Sequence, residues 1–234
     1  MTTVTQVQEH IADLDEIPSS SLSETKYGIP IDRKFAEAAS ETQLQKTAES
    51  LRKNGFVVEI VDTPSDARKF VNSILPLDQT IFTASSETVK QSGLDHDINV
   101  SGKYKSLRQQ LARMDPKTQF REQVKLGATS DVIVGSVHAV TEKGHLVTGS
   151  ASGSQLGPYA ASAAKVILVV GSQKIVPDID TAMRRVETYS YPMEDIRMHE
   201  VRGMPSNLAK ILIVRRELMP SRVTVVLVRE PIGF

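Results

Sequence analysis

Three neighbouring segments decide the fold: GATSDVIVGSVHAVTEKGHLV (127–147), TGSASGSQLGP (148–158) and KVILVVGSQKIV (165–176). They read as strand, tight turn, strand, a loop rich in glycine and hydroxyls, and a buried strand. Small and β-branched side chains dominate 131–140, as a buried strand requires. Glu142, Lys143 and Gly144 supply a turn before His145, Leu146 and Val147 resume the extended pattern. In the loop, Gly149, Gly153 and Gly157 permit close backbone approach, while Ser150, Ser152, Ser154 and Gln155 offer hydroxyls and an amide to anionic oxygens. Pro158 stands where a short helix over 158–164 would begin, with its free N–H groups aimed back at the loop. The pattern suits a phosphate or a carboxylate; a connector of small polar residues has the same composition.

Downstream, 178–189 reads as a helix with Ile179, Met183 and Val186 at core spacing. Pro192 is expected to interrupt it, with another turn or two of helix over 193–198. The apolar runs 210–216 and 222–228, on either side of Pro220 and Ser221, suggest paired C-terminal strands. Upstream, residues 1–27 read as a polar arm with a loop signal at 18–23 and at most one short helix. A helix is expected over 32–54, with Leu44, Ala48 and Leu51 on one face and Gly55 as its stop. A strand at 56–61 follows, and then a helix opened by Thr63 and Pro64 and running to about Leu75. A strand at 79–83 leads to a short helix capped by Ser85 or Ser86 and closed at Gly93. Residues 95–108 show no clear pattern, and 116–126 look helical. This alternation predicts a parallel or mixed sheet covered by helices. Without repeats, low-complexity tracts or a linker signal, the expected organisation is an arm (1–27) and one α/β domain (28–234).

The 234 residues can bury a substantial core, and 40% hydrophobic with 24% charged residues is ordinary for a globular protein. Lys plus Arg equals Asp plus Glu at 28 each, so no global field draws the chain toward nucleic acid or an anionic membrane. There is no cysteine, which excludes disulfides, thiol nucleophiles, thiolate zinc sites and cysteine-ligated iron–sulfur clusters within this chain. Apolar runs such as 166–170 fall far short of the roughly 18–20 residues that span a bilayer, and the first residues carry no leader pattern. A cytoplasmic location is expected.

Standard signatures fail. The glycine loop lacks the Gly-Lys-Ser/Thr ending of a Walker motif and the Gly-x-Gly-x-x-Gly spacing of dinucleotide sites, and Ala151 occupies the place of a nucleophile-elbow serine. Asp95-His96-Asp97 is either a chelating triplet or a solvated turn. No matched ligand pair supports a metal, and none is expected. His138 is either a satisfied core histidine or an acid/base. Glu142, at the tip of the turn, is either a nucleophile or base beside the loop or an exposed turn residue. Glu194, Asp195 and Arg197 form either an ion-paired helix start or a guanidinium fork for a substrate carboxylate.

Four blocks carry a family resemblance: GSVHAVTEKG (135–144), SASGSQL (150–156), VGSQKIVPD (170–178) and YPMEDIR (191–197). Together, and more weakly over the whole chain from about Lys26, they resemble the LUD, or lactate-utilisation, domain family. The resemblance implies a three-layer α/β/α fold with a mixed, Rossmann-like sheet, similar to the NagB/RpiA/CoA-transferase superfamily, whose members handle sugar phosphates and acyl-CoA. It also implies a link to bacterial L-lactate oxidation, with iron–sulfur subunits as partners. The commoner family turn is Ala-Glu-Thr-Gly-Thr; here Glu142 and Gly144 remain while both threonines are replaced.

The resulting expectation is a protein of lactate or related organic-acid utilisation that binds a small anionic metabolite and can act on an acyl or sugar-phosphate substrate. Its catalytic candidates are Glu142 and His138. Its ligand-binding candidates are Gly149, Ser150, Ser152, Gly153, Ser154, Gln155, Lys174 and Arg197. No cofactor of its own is expected, nor a nucleic-acid or membrane partner, and self-association is left open. The competing expectation is a non-catalytic subunit or ligand sensor that assembles with iron–sulfur redox partners.

Overall fold

A computed structural model describes residues 22–115 and 117–234. Residues 1–21 of the expected arm, and Pro116, lie outside the described residues. The strands are β1 (Ser23–Glu24), β2 (Pro30–Ile31), β3 (Val57–Val61), β4 (Thr80–Thr83), β5 (Lys105–Ser106), β6 (Val132–Gly135), β7 (Ala139–Thr141), β8 (Leu146–Ser150), β9 (Lys165–Gly171), β10 (Ile175–Val176), β11 (Lys210–Val214) and β12 (Val223–Val228). The α-helices are α1 (Glu41–Lys53), α2 (Pro64–Ile74), α3 (Glu87–Gln91), α4 (Leu94–Asn99), α5 (Leu107–Leu111), α6 (Phe120–Ala128), α7 (Ile179–Arg185) and α8 (Tyr191–Arg202).

The centre is a six-stranded, all-parallel sheet in the order β3-β12-β9-β6-β4-β5. Its middle strands, VTVVLV of β12 and VILVV of β9, are buried on both faces, which is why their sequences are continuously apolar rather than alternating. On one face Ala67 and Val71 of α2, Val89 of α3 and Leu94 and Ile98 of α4 pack on Ile81, Val134, Ile167, Val169 and Val226. On the other face Ala48 and Leu51 of α1, with Val140 and Leu146, pack on Val58, Ile133, Leu168 and Val225. Helices on both faces make this a three-layer α/β/α fold.

A second, four-stranded sheet, β10-β7-β8-β11, lies against that second face. Strand periodicity divides it: Val140 and its partner Leu146 face the large sheet, while Ala139 and its partner Val147 pack on Val176, Ala182 and Val186.

Several expected elements fall differently. The run 131–140 is two strands, because β6 belongs to the large sheet and β7 to the small one. The chain crosses over at Ser136, Val137 and His138, where the Tyr159 hydroxyl accepts from the Ser136 N–H and donates to the Ser136 carbonyl, both at 3.1 Å. A hydroxyl thus takes the backbone bonds that a neighbouring strand would otherwise supply. The run 165–176 divides in the same way, into β9 and β10 around a 3₁₀ turn at Ser172–Lys174. The C-terminal strands do not pair with each other. The half-buried KILIV of β11 joins β8 antiparallel, and the fully buried β12 enters the large sheet.

The helix expected over 32–54 is a 3₁₀ turn (Arg33–Ala36) followed by α1, because Ser40 and Gln43 form a reciprocal cap that starts the helix anew. Pro192 does not break its helix. A π turn at Val186–Ser190 joins α7 to α8, placing Pro192 at the start of the resumed α-helix, where a missing N–H is tolerated. The short helix expected from Pro158 is a five-residue π turn, and that expected over 116–126 is α6.

Gly135 closes β6 under Tyr159, and a Cβ there would meet the Tyr159 hydroxyl and lie 3.0 Å from the Ala84 Cβ. Gly135→Ala should therefore cost about 1–3 kcal/mol in urea unfolding, as overpacking does. The cost should shrink in a Tyr159→Phe background, where the contacting oxygen is gone. Equal costs in both backgrounds would refute this account of the crossover.

Candidate functional site

A cavity of about 320 Å³ opens at the carboxyl ends of β4, β6 and β9, the edge where parallel α/β sheets commonly bind ligands. Ser136, Val137 and His138 of the crossover form one wall, the loop from Gly149 to Gln155 a second, and Glu194, Arg197 and Met198 of α8 a third. Lys174 and Tyr159 also contribute to the lining.

The crossover sets the electrostatics. Lys174 donates from Nζ to the Val137 carbonyl (3.1 Å), Thr88 Oγ1 (2.9 Å) and Ser136 Oγ (3.1 Å). Arg185, behind the wall, donates to the carbonyls of His138, Gln173 and Phe35 and to Ser190 Oγ. Lys174 is 1% and Arg185 0% exposed, and among the described residues neither is paired with a carboxylate. Burial, and then the nearby Arg185, hold the Lys174 amine well below its ordinary range, while burial brings Arg185 down to about 10. Arg185 is therefore the standing cation of the site, and Lys174 the group that can shed its proton.

His138 receives the Gly149 N–H on Nδ1 at 3.0 Å, which assigns the ring hydrogen of the neutral imidazole to Nε2. Burial, Lys174 and Arg185 together push its pKa down to about 3. It is a neutral hydrogen-bond donor at the wall rather than a base near neutrality.

The loop is braced internally. Ser150 Oγ accepts the Gly153 N–H (2.9 Å) and bonds Gln155 Oε1 (3.1 Å), while Ser152 and Ser154 are joined at 3.3 Å. Gly149, Ser150, Ser152, Ser154 and Gln155 reach the cavity wall; Gly153, at φ +83°, makes the turn behind it. A Cβ at Gly149 would lie 2.6 Å from Leu208 Cδ1, so a side chain at that strand position would have to displace Leu208.

Of the expected residues, His138, Lys174, Arg197 and the loop converge on one cavity, and Glu142 does not line it. Glu142 stands at the tip of the β7–β8 hairpin, bonded to Lys46 Nζ (2.6 Å) and Gln43 Nε2 (3.3 Å) of α1, and the Lys46 ammonium holds its carboxyl below the usual range. Its geometry docks the hairpin on α1 and offers nothing to the cavity. Arg197 reaches the cavity but forks onto Glu194 at 2.7 and 2.6 Å. Asp195 is buried and accepts the Ser206 N–H. The triplet at 95–97 is also committed, since Asp97 takes the Arg68 guanidinium and Asn72.

Sequence reasoning missed Arg185, Tyr159, Thr88 and Ser136. Arg185 had a signal, because it follows Ala182 by three residues and precedes Tyr189 by four, on the buried side of its helix.

The family model described as the LUD domain matches residues 44–228. A DUF162 family protein from Deinococcus radiodurans is similar in structure at 10% sequence identity, over 82% of this chain and 99% of that chain, with a TM-score of 0.48. No curated protein matches. Among the described residues, no helix is long and apolar enough to cross a membrane.

The His138 environment predicts a pH dependence. As pH falls below about 6.5 the unfolded chain takes up a proton that the folded imidazole refuses until about 3, so this group removes stability across that window at about 1.4 kcal/mol per pH unit. Its ring resonances should stay constant between about pH 7.5 and 5 in an NMR titration. A midpoint near 6.5 contradicts the buried neutral ring.

Proposed function

The chain belongs to the LUD domain family, and from that premise we propose that it binds a small organic carboxylate, a 2-hydroxy or 2-oxo acid of the L-lactate class, in the cavity at the β6–β7 crossover. The observation that carries this reading is the buried Arg185, a fixed positive charge behind the wall with no carboxylate partner among the described residues. An anion entering the cavity supplies the missing counter-charge, and the polar side chains of His138, Ser136, Ser152 and Ser154 line the space it would occupy. The protein serves organic-acid utilisation. With no cysteine in the sequence, any cysteine-ligated iron–sulfur centres of such an oxidation reside on partner subunits.

A thermal-shift series with L-lactate, pyruvate, a sugar phosphate and inorganic phosphate tests the reading. A carboxylate at about 100 times its Kd stabilises the fold by roughly 2.7 kcal/mol, a readable rise in Tm. The rise should persist in Glu142→Gln, whose side chain stays on α1, and vanish when Ser136→Ala and His138→Phe are combined. A response confined to phosphates, or equal in the double variant, overturns the assignment.

A further inference from the structure

The cavity holds a group whose chemistry the binding role leaves unused. Lys174 reaches it from the turn between β9 and β10, and its three hydrogen-bond partners, Thr88 Oγ1, Ser136 Oγ and the Val137 carbonyl, are all neutral oxygens. Two of them are hydroxyls whose own hydrogens go to the Ile232 and Val137 carbonyls at 3.3 Å, long bonds that a rotation of either hydroxyl exchanges for one to an amine lone pair. Arg185 sits close behind and keeps its proton, and two cations share this dry region without a carboxylate among the described residues. Desolvation and a neighbouring cation are conditions that make a lysine a nucleophile, and this one belongs to the lining of the cavity.

From this geometry we infer that Lys174 is an amine nucleophile that forms an imine with the carbonyl of a small 2-oxo acid held in the cavity. The inference rests on the carboxylate-binding reading, since the acid's carboxylate is what orients its carbonyl. The nitrogen lone pair forms the C–N bond, the carbonyl oxygen leaves as water carrying both amine hydrogens, and a proton from solvent gives the iminium. The N–H delivered by that proton then serves the Val137 carbonyl, 3.1 Å from the nitrogen, so the iminium restores that bond of the crossover. The neutral His138, with its ring hydrogen on Nε2, lines the same cavity as a donor for the carboxylate. The chain thereby gains covalent carbonyl chemistry without a cofactor.

The test is borohydride trapping of the full-length protein with pyruvate, read by intact mass and by peptide mapping of the wild-type protein, alongside a pyruvate thermal shift without reductant. The expected result is one reduced adduct, located on Lys174, suppressed by excess L-lactate, which has no keto group, and absent from a folded Lys174→Met variant. A thermal shift by pyruvate with Lys174 unmodified overturns the imine and leaves carboxylate binding standing. No shift and no adduct overturns both. Adducts scattered over exposed lysines such as Lys46 and Lys69, with none enriched at Lys174, overturn the imine as well.

Discussion

Everything in this fold that concerns chemistry depends on how three consecutive carbonyls, those of Ser136, Val137 and His138, find hydrogen bonds while the chain passes from one sheet to the other. None of them pairs with a strand. The Tyr159 hydroxyl takes the first, the Lys174 ammonium or amine the second and the Arg185 guanidinium the third. A buried carbonyl left without a donor costs about 1–3 kcal/mol, so a crossover of this kind obliges the core to contain long polar side chains. Those side chains come from the π turn after the loop, the second crossover and α7, and they hold these elements in register around the gap between the sheets.

The same constraint determines the character of the cavity. Side chains that satisfy carbonyls are donors, and two of these three are basic, so the site becomes positive as a by-product of backbone satisfaction. Among the described residues Arg222 pairs with Glu217 at 2.6 Å, Arg184 with Asp32 at 2.9 Å and Arg197 with Glu194 at 2.6 Å, whereas the fully buried Arg185 and Lys174 have no carboxylate partner. That contrast is the ground on which an anion is proposed as the ligand, although the sequence as a whole carries no net charge.

Much of this was legible in the sequence, for identifiable reasons. The caps at Thr63 and Ser86 and the turn at Gly144 are local devices, and local devices can be read locally, although the cap at Ser40 was passed over. The family blocks and the hydroxyl loop pointed at one site, and His138, Lys174, Arg197 and most of that loop do meet there. What escaped was the division of labour between two sheets. Residues 131–140 and 165–176 each read as one extended run because the crossover residues are themselves small, β-branched or amphipathic, and only the position of a distant tyrosine shows where the strand must stop. Glu142 was misplaced for the same reason. A hairpin tip next to the loop in sequence points the other way in space once β7 and β8 form a sheet of their own, and its carboxylate ends on α1.

Lys174 is the point where structure and function cannot be separated. As a donor to the Val137 carbonyl it is a structural residue, and a serine or threonine hydroxyl could serve a carbonyl at far smaller desolvation cost. A buried lysine with no carboxylate beside it stabilises the fold poorly, because it must either carry its charge through a dry environment or surrender its proton. The neighbouring Arg185 worsens the first option and so favours the second. A fold can accommodate such a group where its surroundings satisfy the neutral form, and the hydroxyls of Thr88 and Ser136 do so here. The crossover therefore has an energetic bias as well as a shape: it lines a cavity and sets at its edge a basic side chain whose surroundings favour the uncharged amine.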